Sequence, residues 1–416
     1  MGLTATEKIL ARAAGKPAVK PGEIVMPRVD RLLINDLLGV ITFSQFESLG
    51  ARTVWDPDRV LVAADHRVPP AEVKWAEQQK KCREYCKKYG IRFAEIGRHG
   101  IGHQLMVEDF TLPGEVSLGT DSHATMYGGL GALACGVTSS DAAVILATGK
   151  IWLQVPPSVR FSVSGALPRM VTAKDLALTI VSAAPAEEFI YKAIEIGGDC
   201  IKNMSVAGRL VICNMVAEMG AKNGIIPADE KTFEYLNMPA DSASMVTSDP
   251  DAAFESSFEI VVSEMAPKVA CPHSVDNVKD IGEVKGTPIQ QAFLGSCTNG
   301  RLEDLIEAAE ILKGKKVHPN VRLLVVPASQ RVFLEATRMG LIEVFLDAGA
   351  AIMTPSCASC AGSGPGVIAS GEACISTTNR NFEGRMGSPK SSVYLASAYT
   401  VAASAVAGVI EDPRAF

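Results

Sequence analysis

The sequence predicts an α/β protein of three units with parallel or mixed sheets, and three observations carry that expectation. At 416 residues the chain exceeds what one hydrophobic core usually organises. Short apolar runs alternate with helix-period segments, most regularly from residue 288: Ile289 to Leu294, a helix over 301–313, Val321 to Val326, a helix over 330–339, then Ala350 to Met353. Such βαβ alternation implies parallel pairing. The composition also changes at Pro156-Pro157, across the polar stretch 246–251 and over Pro267 to Asp280, which gives units at 1–155, 156–280 and 281–416.

Taken in order, residues 4–15 read as a short helix, broken by Pro21-Gly22 before Glu23 to Met26 starts the first strand-like run. Leu61 to Ala64 is an apolar strand that runs into Asp65-His66, an acid beside a titratable imidazole. A helix over 71–90 carries a basic surface of Lys80, Lys81, Arg83, Lys87 and Lys88. Its Cys82 and Cys86, four apart, read as isolated thiols on a solvated helix. Ile101-Gly-His-Gln104 and Gly119-Thr-Asp-Ser-His123 add two histidines and an aspartate. Gly129-Leu-Gly-Ala-Leu-Ala134 lacks the preceding strand and the final glycine of a dinucleotide-binding turn, so its glycines read as permitting tight packing. In the second unit Asn214 and Glu218 stand four apart on one helical face, and a buried Glu there needs a partner. Ser391 to Ile410, rich in Ala and Val but interrupted by Ser, Thr and Tyr, reads as a helix packed inside a large protein rather than a membrane span.

Two loops carry cysteines in a pattern that invites chemistry. Leu294-Gly-Ser-Cys-Thr-Asn-Gly300 lies between a short apolar run and a helix with Leu302, Leu305, Ile306 and Ala309 on one face. Asn299 can cap that helix, and Glu303 and Asp304 suit the positive end of its dipole. Pro355-Ser-Cys-Ala-Ser-Cys360 follows the run Ala350 to Met353. Both loops therefore lie past a strand's carboxyl end, the edge at which open α/β sheets bind ligands. Three thiolates could hold a four-iron cluster with one iron left open, since such clusters normally take four. A Cys-x-x-Cys alone also fits a zinc half-site, a redox pair or two core thiols. Downstream, Ser376 to Arg385 places two guanidiniums and two amides on a glycine-broken loop, and forked donors of that kind suit carboxylates. The plainer reading is a solvated basic loop.

Together the segments Gly-Ser-Cys-Thr-Asn (295–299), Pro-Ser-Cys-x-x-Cys (355–360) and Thr-Thr-Asn-Arg-Asn-Phe-x-Gly-Arg (377–385) resemble the aconitase superfamily. The likeness is greatest to the large-subunit type of 3-isopropylmalate dehydratase and homoaconitase, and it runs from about residue 23 to the end. The resemblance implies three aconitase-like α/β domains around one central [4Fe-4S] cluster, held by Cys297, Cys357 and Cys360 with one iron not held by cysteine. It implies a hydro-lyase acting on a small hydroxy di- or tricarboxylate, first of all 3-isopropylmalate in leucine biosynthesis, with homoaconitate, 2,3-dimethylmalate or citraconate chemistry as alternatives.

By the same resemblance Asp65, His66, His103, Asp121, His123 and Glu218 manage protons. The Asp65-His66 pair would protonate the departing hydroxyl, and Glu218 would pair with an active-site histidine. Asn35, Ser122, Asn214, Asn379, Arg380 and Arg385 would contact substrate. Three positions depart from the family pattern: Asn35 in place of Gln or His, Ala124 in place of Thr, and Ala358-Ser359 in place of Gly-Pro. The swivelling fourth domain of single-chain aconitases, which supplies a serine base and further arginines, is missing. A separate small subunit and a hetero-oligomer are expected.

Composition narrows the classes further. A net charge of −6 and a pI near 5.7 give no general attraction to nucleic acid or to an anionic membrane, which opposes a cluster-free RNA-binding role. Ten cysteines without short regular spacing do not form the disulfide framework of a small secreted domain, and a reducing cytoplasm is expected. The N-terminal segment has helical spacing and an acidic residue where a signal peptide has an apolar core. A zinc enzyme could use three cysteines and a water, but would leave the Asn-Arg-Asn motif unexplained. A purely structural subunit would not need so many titratable motif residues.

Overall fold

The computed structural model describes residues 2–98, 100–362 and 364–416. Three sheets organise the molecule. The first has five parallel strands in the order Arg92–Ala94, Val60–Ala63, Arg31–Asn35, Val116–Gly119 and Leu133–Gly136. The second has four parallel strands, Asn223–Ile225, Ala193–Gly197, Ser158–Ser164 and Ser256–Val261. The third is mixed: Ser392–Leu395, Ala373–Ser376, Gln291–Gly295, Arg322–Val326 and Ala351–Ile352 run parallel, and Lys268–Ala270 and Val278–Asp280 add an antiparallel edge. Central strands such as Val60–Ala63 and Gln291–Gly295 are buried at every residue, as a sheet covered on both faces requires.

Helices cover these sheets through short apolar stripes. Asp36–Ser48 and Val73–Tyr89 pack together through Phe43, Phe46, Tyr85 and Tyr89, with Phe43 and Tyr85 stacked at 4.9 Å between ring centroids. The same seam buries Cys82 and Cys86, so the thiols expected on a solvated face belong to the core. A Cβ on Gly39 would stand 2.7 Å from Cys82 Sγ, so only glycine lets these helices approach. The helix Val206–Met215 packs against the turn Ser122–Leu130, where a Cβ on Gly129 would lie 2.8 Å from Leu210 N. The glycine run therefore serves close packing, as its sequence suggested.

Several local expectations change. The stretch 268–280, placed in the second unit by composition, pairs through Lys268–Ala270 with Ser392–Leu395, and Val278–Asp280 pairs with Lys268–Ala270, so both strands extend the third sheet. The apolar run 391–410 is a strand, Ser392–Leu395, followed by the helix Ala398–Ala407; Ser397 Oγ accepts the Thr400 N–H and separates them. The helix Leu302–Leu312 is not capped by Asn299. Asp304 accepts both the Arg301 backbone N–H and the Asn299 amide, because an ionisable oxygen in the first turn is the stronger acceptor. A helix at Leu341–Ala348 was not anticipated. Among the described residues no helix is long and apolar enough to cross a membrane.

Candidate active site

The chemistry-bearing side chains enter one cleft from strand ends and from one helix. Asp65 and His66 follow the strand Val60–Ala63, Asp121 to His123 follow Val116–Gly119, Cys297 follows Gln291–Gly295, and Asn379 and Arg380 follow Ala373–Ser376. Each lies past a carboxyl end. The second unit contributes Asn214 from the last turn of Val206–Met215 and Glu218 from the 3-10 turn Val216–Met219. Two cysteine neighbours, Ser296 at φ 80° and Ala358 at φ 46°, adopt the left-handed backbone that non-glycine residues rarely take. Strain of this kind concentrates at functional loops.

On one side the histidines and carboxylates form a continuous net. His66 Nδ1 lies 2.7 Å from Asp65 Oδ1, and Asp65 Oδ2 accepts the Gly102 N–H at 2.7 Å. Asp121 Oδ1 stands 3.1 Å from His103 Nε2 and 3.3 Å from His123 Nδ1, while its other oxygen is 3.9 Å from His66 Nε2. His123 Nε2 meets Glu218 Oε1 at 2.8 Å, and Arg380 Nε donates to both Glu218 oxygens at 2.8 and 3.0 Å. The remaining Arg380 arm donates to Ser122 Oγ at 2.8 Å.

Electrostatics follow from these contacts. Burial alone would depress the His66 imidazole, but Cys357, Asp65 and Asp36 carry it well above its usual value. Burial would raise Asp121, yet the hydrogen bonds of His103 and His123 hold it well below the carboxylate range. The same opposition, with burial against His123 and Arg380, keeps Glu218 low. The His66 imidazole is thus held in its protonated form beside Asp36 and Asp121, whose carboxylates are held ionised.

On the other side lie the thiols. Cys297 Sγ accepts from Asn214 Nδ2 at 3.3 Å and from Asn379 Nδ2 at 3.5 Å, and Cys360 Sγ lies 3.6 Å from an Arg385 nitrogen. The Cys357 N–H donates to the Asp65 carbonyl at 2.7 Å, tying the second loop to the first strand's end. Burial pushes the Cys297 thiol up to about 12, with Cys360 and Asp121 adding to it. The Cys357 thiol is pushed up by burial as well. Asp65, His66 and Cys357 also bring three ligand atoms within 4.8 Å of one another.

Asn35 stands apart from the other expected residues. It is buried, but its Oδ1 caps the helix Asp36–Ser48 through Leu38 N and its amide donates to the Thr120 carbonyl, so both ends are committed to backbone. Four functional partners were not anticipated. Asp36 flanks His66, accepting its backbone N–H at 3.2 Å. The Tyr127 hydroxyl lies 2.8 Å from His103 Nδ1. Arg301 donates to the Thr298 and Cys297 carbonyls, both at 2.7 Å, and Lys174 donates to the Thr377 and Thr378 carbonyls at 3.0 and 2.6 Å. These two buried cations hold the two loops that frame the site. Only Asp36, at a strand end beside Asn35, carried any sequence signal.

Comparison with known proteins gives the family. The pattern of the aconitase family (aconitate hydratase) matches residues 7–408. The probable 3-isopropylmalate dehydratase large subunit of Methanothermobacter thermautotrophicus is 47% identical, covering 99% of this chain and 99% of its own length. The 3-isopropylmalate dehydratase large subunit 1 of Methanopyrus kandleri is 46% identical, with 100% of both chains covered. That of Thermodesulfovibrio yellowstonii is also 46% identical, over 100% and 99%. Thermococcus kodakaraensis aconitase X, in its holo-form, shares the fold at a TM-score of 0.51 and 12% identity, over 90% of this chain and 89% of that one. The chain therefore belongs to the aconitase family of hydro-lyases.

Proposed function

We propose that this chain is the cluster-bearing large subunit of a 3-isopropylmalate dehydratase, with Cys297, Cys357 and Cys360 holding a [4Fe-4S] cluster that leaves one iron free of cysteine. The observation that carries the reading is the convergence of three cysteines, Cys297 and Cys360 buried and Cys357 half-buried, with a completed histidine and carboxylate net in one cleft. Full-length identity of 46–47% to large subunits of that name supports the substrate assignment. The donor set fits the cluster: soft sulphur ligands, amide and guanidinium hydrogens directed at two of the sulphurs, and thiols whose protons a metal's charge would displace. All ten cysteines are unpaired, which suits a reducing cytoplasm.

When bound, the cluster supplies Lewis acidity toward the substrate's hydroxyl and a carboxylate. The chain's own residues do the rest. Arg385 Nε is buried with no partner among the described residues, and a bidentate guanidinium there suits a substrate carboxylate. Arg380, braced by Glu218 and Ser122, offers a second positive group. Asn379 and Asn214 orient one another, with the Asn379 amide donating to Asn214 Oδ1 at 3.3 Å. His66 at its Nε2 gives the proton to the departing hydroxyl, its Nδ1 held by Asp65. Asp121 and His123 keep the net aligned; the carbon–oxygen bond breaks to release water, and the electron pair of the broken carbon–hydrogen bond forms the double bond. The base that removes the carbon-bound proton would come from a small subunit of the swivel-domain type, which "large subunit" in the relatives' names supports.

The test is reconstitution. The anaerobically prepared chain, alone and with its small subunit, is assayed against 3-isopropylmalate, homoisocitrate, 2,3-dimethylmalate and citramalate. Turnover of 3-isopropylmalate by the pair and none by either chain alone is expected. Robust turnover by the single chain would contradict the reading, and a much higher kcat/KM on another acid would reassign the substrate.

A further inference from the structure

His103 is the one histidine of the net whose second ring nitrogen faces neither a carboxylate nor the open cleft. Its Nε2 lies 3.1 Å from Asp121 Oδ1, and its Nδ1 lies 2.8 Å from the hydroxyl of Tyr127. Tyr127 is fully buried in the turn Ser122–Leu130, and its ring lies 5.7 Å from that of His103. The packing that places it is specific. A Cβ on Gly119 would stand 3.4 Å from the Tyr127 hydroxyl, and one on Gly128 would fall 1.7 Å from the Gly224 carbonyl oxygen. A side chain at Gly128 would displace the turn that carries the phenol, and one at Gly119 would come into contact with its hydroxyl.

The proton positions follow by elimination. Asp121 is ionised and can only accept, so the His103 nitrogen facing it carries a hydrogen. In the neutral ring the other nitrogen is then a bare acceptor, and the buried hydroxyl must donate to it. A protonated ring would instead present N–H on both sides and leave the phenol oxygen to accept.

We propose, on the hydro-lyase reading above, that Tyr127 is a positioning residue: its hydroxyl donates to His103 Nδ1, fixes the Nε2–H tautomer and so holds Asp121 in place for His66 and His123. Asp121 spans all three rings, at 3.1 Å to His103, 3.3 Å to His123 and 3.9 Å to His66, so a His103 free to change tautomer would release the carboxylate that aligns the acid. Tyr127 touches the substrate at no point in this scheme and acts through His103.

The test joins spectroscopy with kinetics. Long-range nitrogen–proton spectra of the cluster-free chain, labelled at histidine, report each tautomer, and the His103 signals are assigned by their loss in His103→Asn. The wild type is expected to show Nε2–H at His103, and Tyr127→Phe a mixture of tautomers. In the reconstituted complex Tyr127→Phe should lower kcat about tenfold, as loss of one buried hydrogen bond implies, with KM within about twofold and iron and sulphide content unchanged. An Nδ1–H tautomer in the wild type would overturn the proposal, as would an unaltered tautomer and kcat in the variant. The wild-type spectrum decides even if the variant does not fold. It is also independent of turnover, so failure of the substrate assignment and failure of the tyrosine's role give different results.

Discussion

Along the wall built from the first sheet, every buried imidazole meets a carboxylate at hydrogen-bond distance, from 2.7 Å at Asp65 to 3.3 Å at Asp121. Across the cleft the Cys297 and Cys360 sulphurs meet amides and one guanidinium at 3.3 to 3.6 Å, and the Cys297 proton is held tightly by burial. On the first wall cationic His66 sits among the carboxylates of Asp36, Asp65 and Asp121. The second wall gathers soft donors and hydrogens directed at sulphur, a set that on the proposed reading takes metal in place of the thiol protons. On the proposed reading proton chemistry is preorganised in the polypeptide, whereas Lewis-acid chemistry depends on the cluster that it receives.

Substitutions on the two walls should separate these roles. The largest effect is expected for Cys297→Ser, which should cut bound iron and lower activity by roughly a thousandfold or more, since hydroxyl is a poor substitute for a soft thiolate ligand. Urea unfolding of the cluster-free variant should stay within about 0.5 kcal/mol of wild type. Next, Asp65→Asn should keep iron and sulphide intact while lowering kcat about a hundredfold, within the range of a general-acid contribution. If both substitutions removed iron equally, the two walls would not be separable.

A smaller loss is expected for Arg380→Lys. The guanidinium forks over Glu218 and Ser122, which lysine cannot reproduce. We expect kcat/KM to fall about ten- to a hundredfold, with cluster content and Tm little changed. Unchanged activity per intact cluster would show that Arg380 only ties its loop to Glu218.

A stability effect concerns pH and contrasts the histidine wall with a buried acid outside it. Burial raises Asp175 from 3.8 to about 6, so between those values the folded state keeps a proton that the unfolded chain has released, and stability falls as pH rises through that window. Asp121 is held low by its histidines, so its contribution is present above its ordinary pKa and is lost as pH falls below that value. In urea titrations of the cluster-free chain, Asp175→Asn should remove a decline on the order of 2–3 kcal/mol between about pH 4 and 6. Asp121→Asn should instead flatten the loss at lower pH. The same sign for both variants would contradict the assignment.

Much of this site was legible before any coordinates. Cys297, Asp65 and Asp121 each follow an apolar run, and residues just past a strand's carboxyl end converge in parallel α/β sheets. What escaped was set by burial from elsewhere in the chain. Tyr127, Arg301 and Lys174 look ordinary in sequence, and their roles come from carbonyls and a ring nitrogen delivered by distant segments. Asn35 looked like a substrate contact by position, but its side chain closes a helix end. The run 391–410 read as one helix because Ala and Val suit either structure, and only pairing of Val393 and Leu395 with the neighbouring strand decides for a strand.

The most direct test of the central claim is Mössbauer spectroscopy on the chain reconstituted anaerobically with 57Fe, together with iron and sulphide analysis. The account predicts a four-iron cluster in which one iron is spectroscopically distinct and shifts when 3-isopropylmalate is added in the presence of the small subunit. Stoichiometric zinc without iron, or four iron sites that remain equivalent with and without substrate, would contradict it.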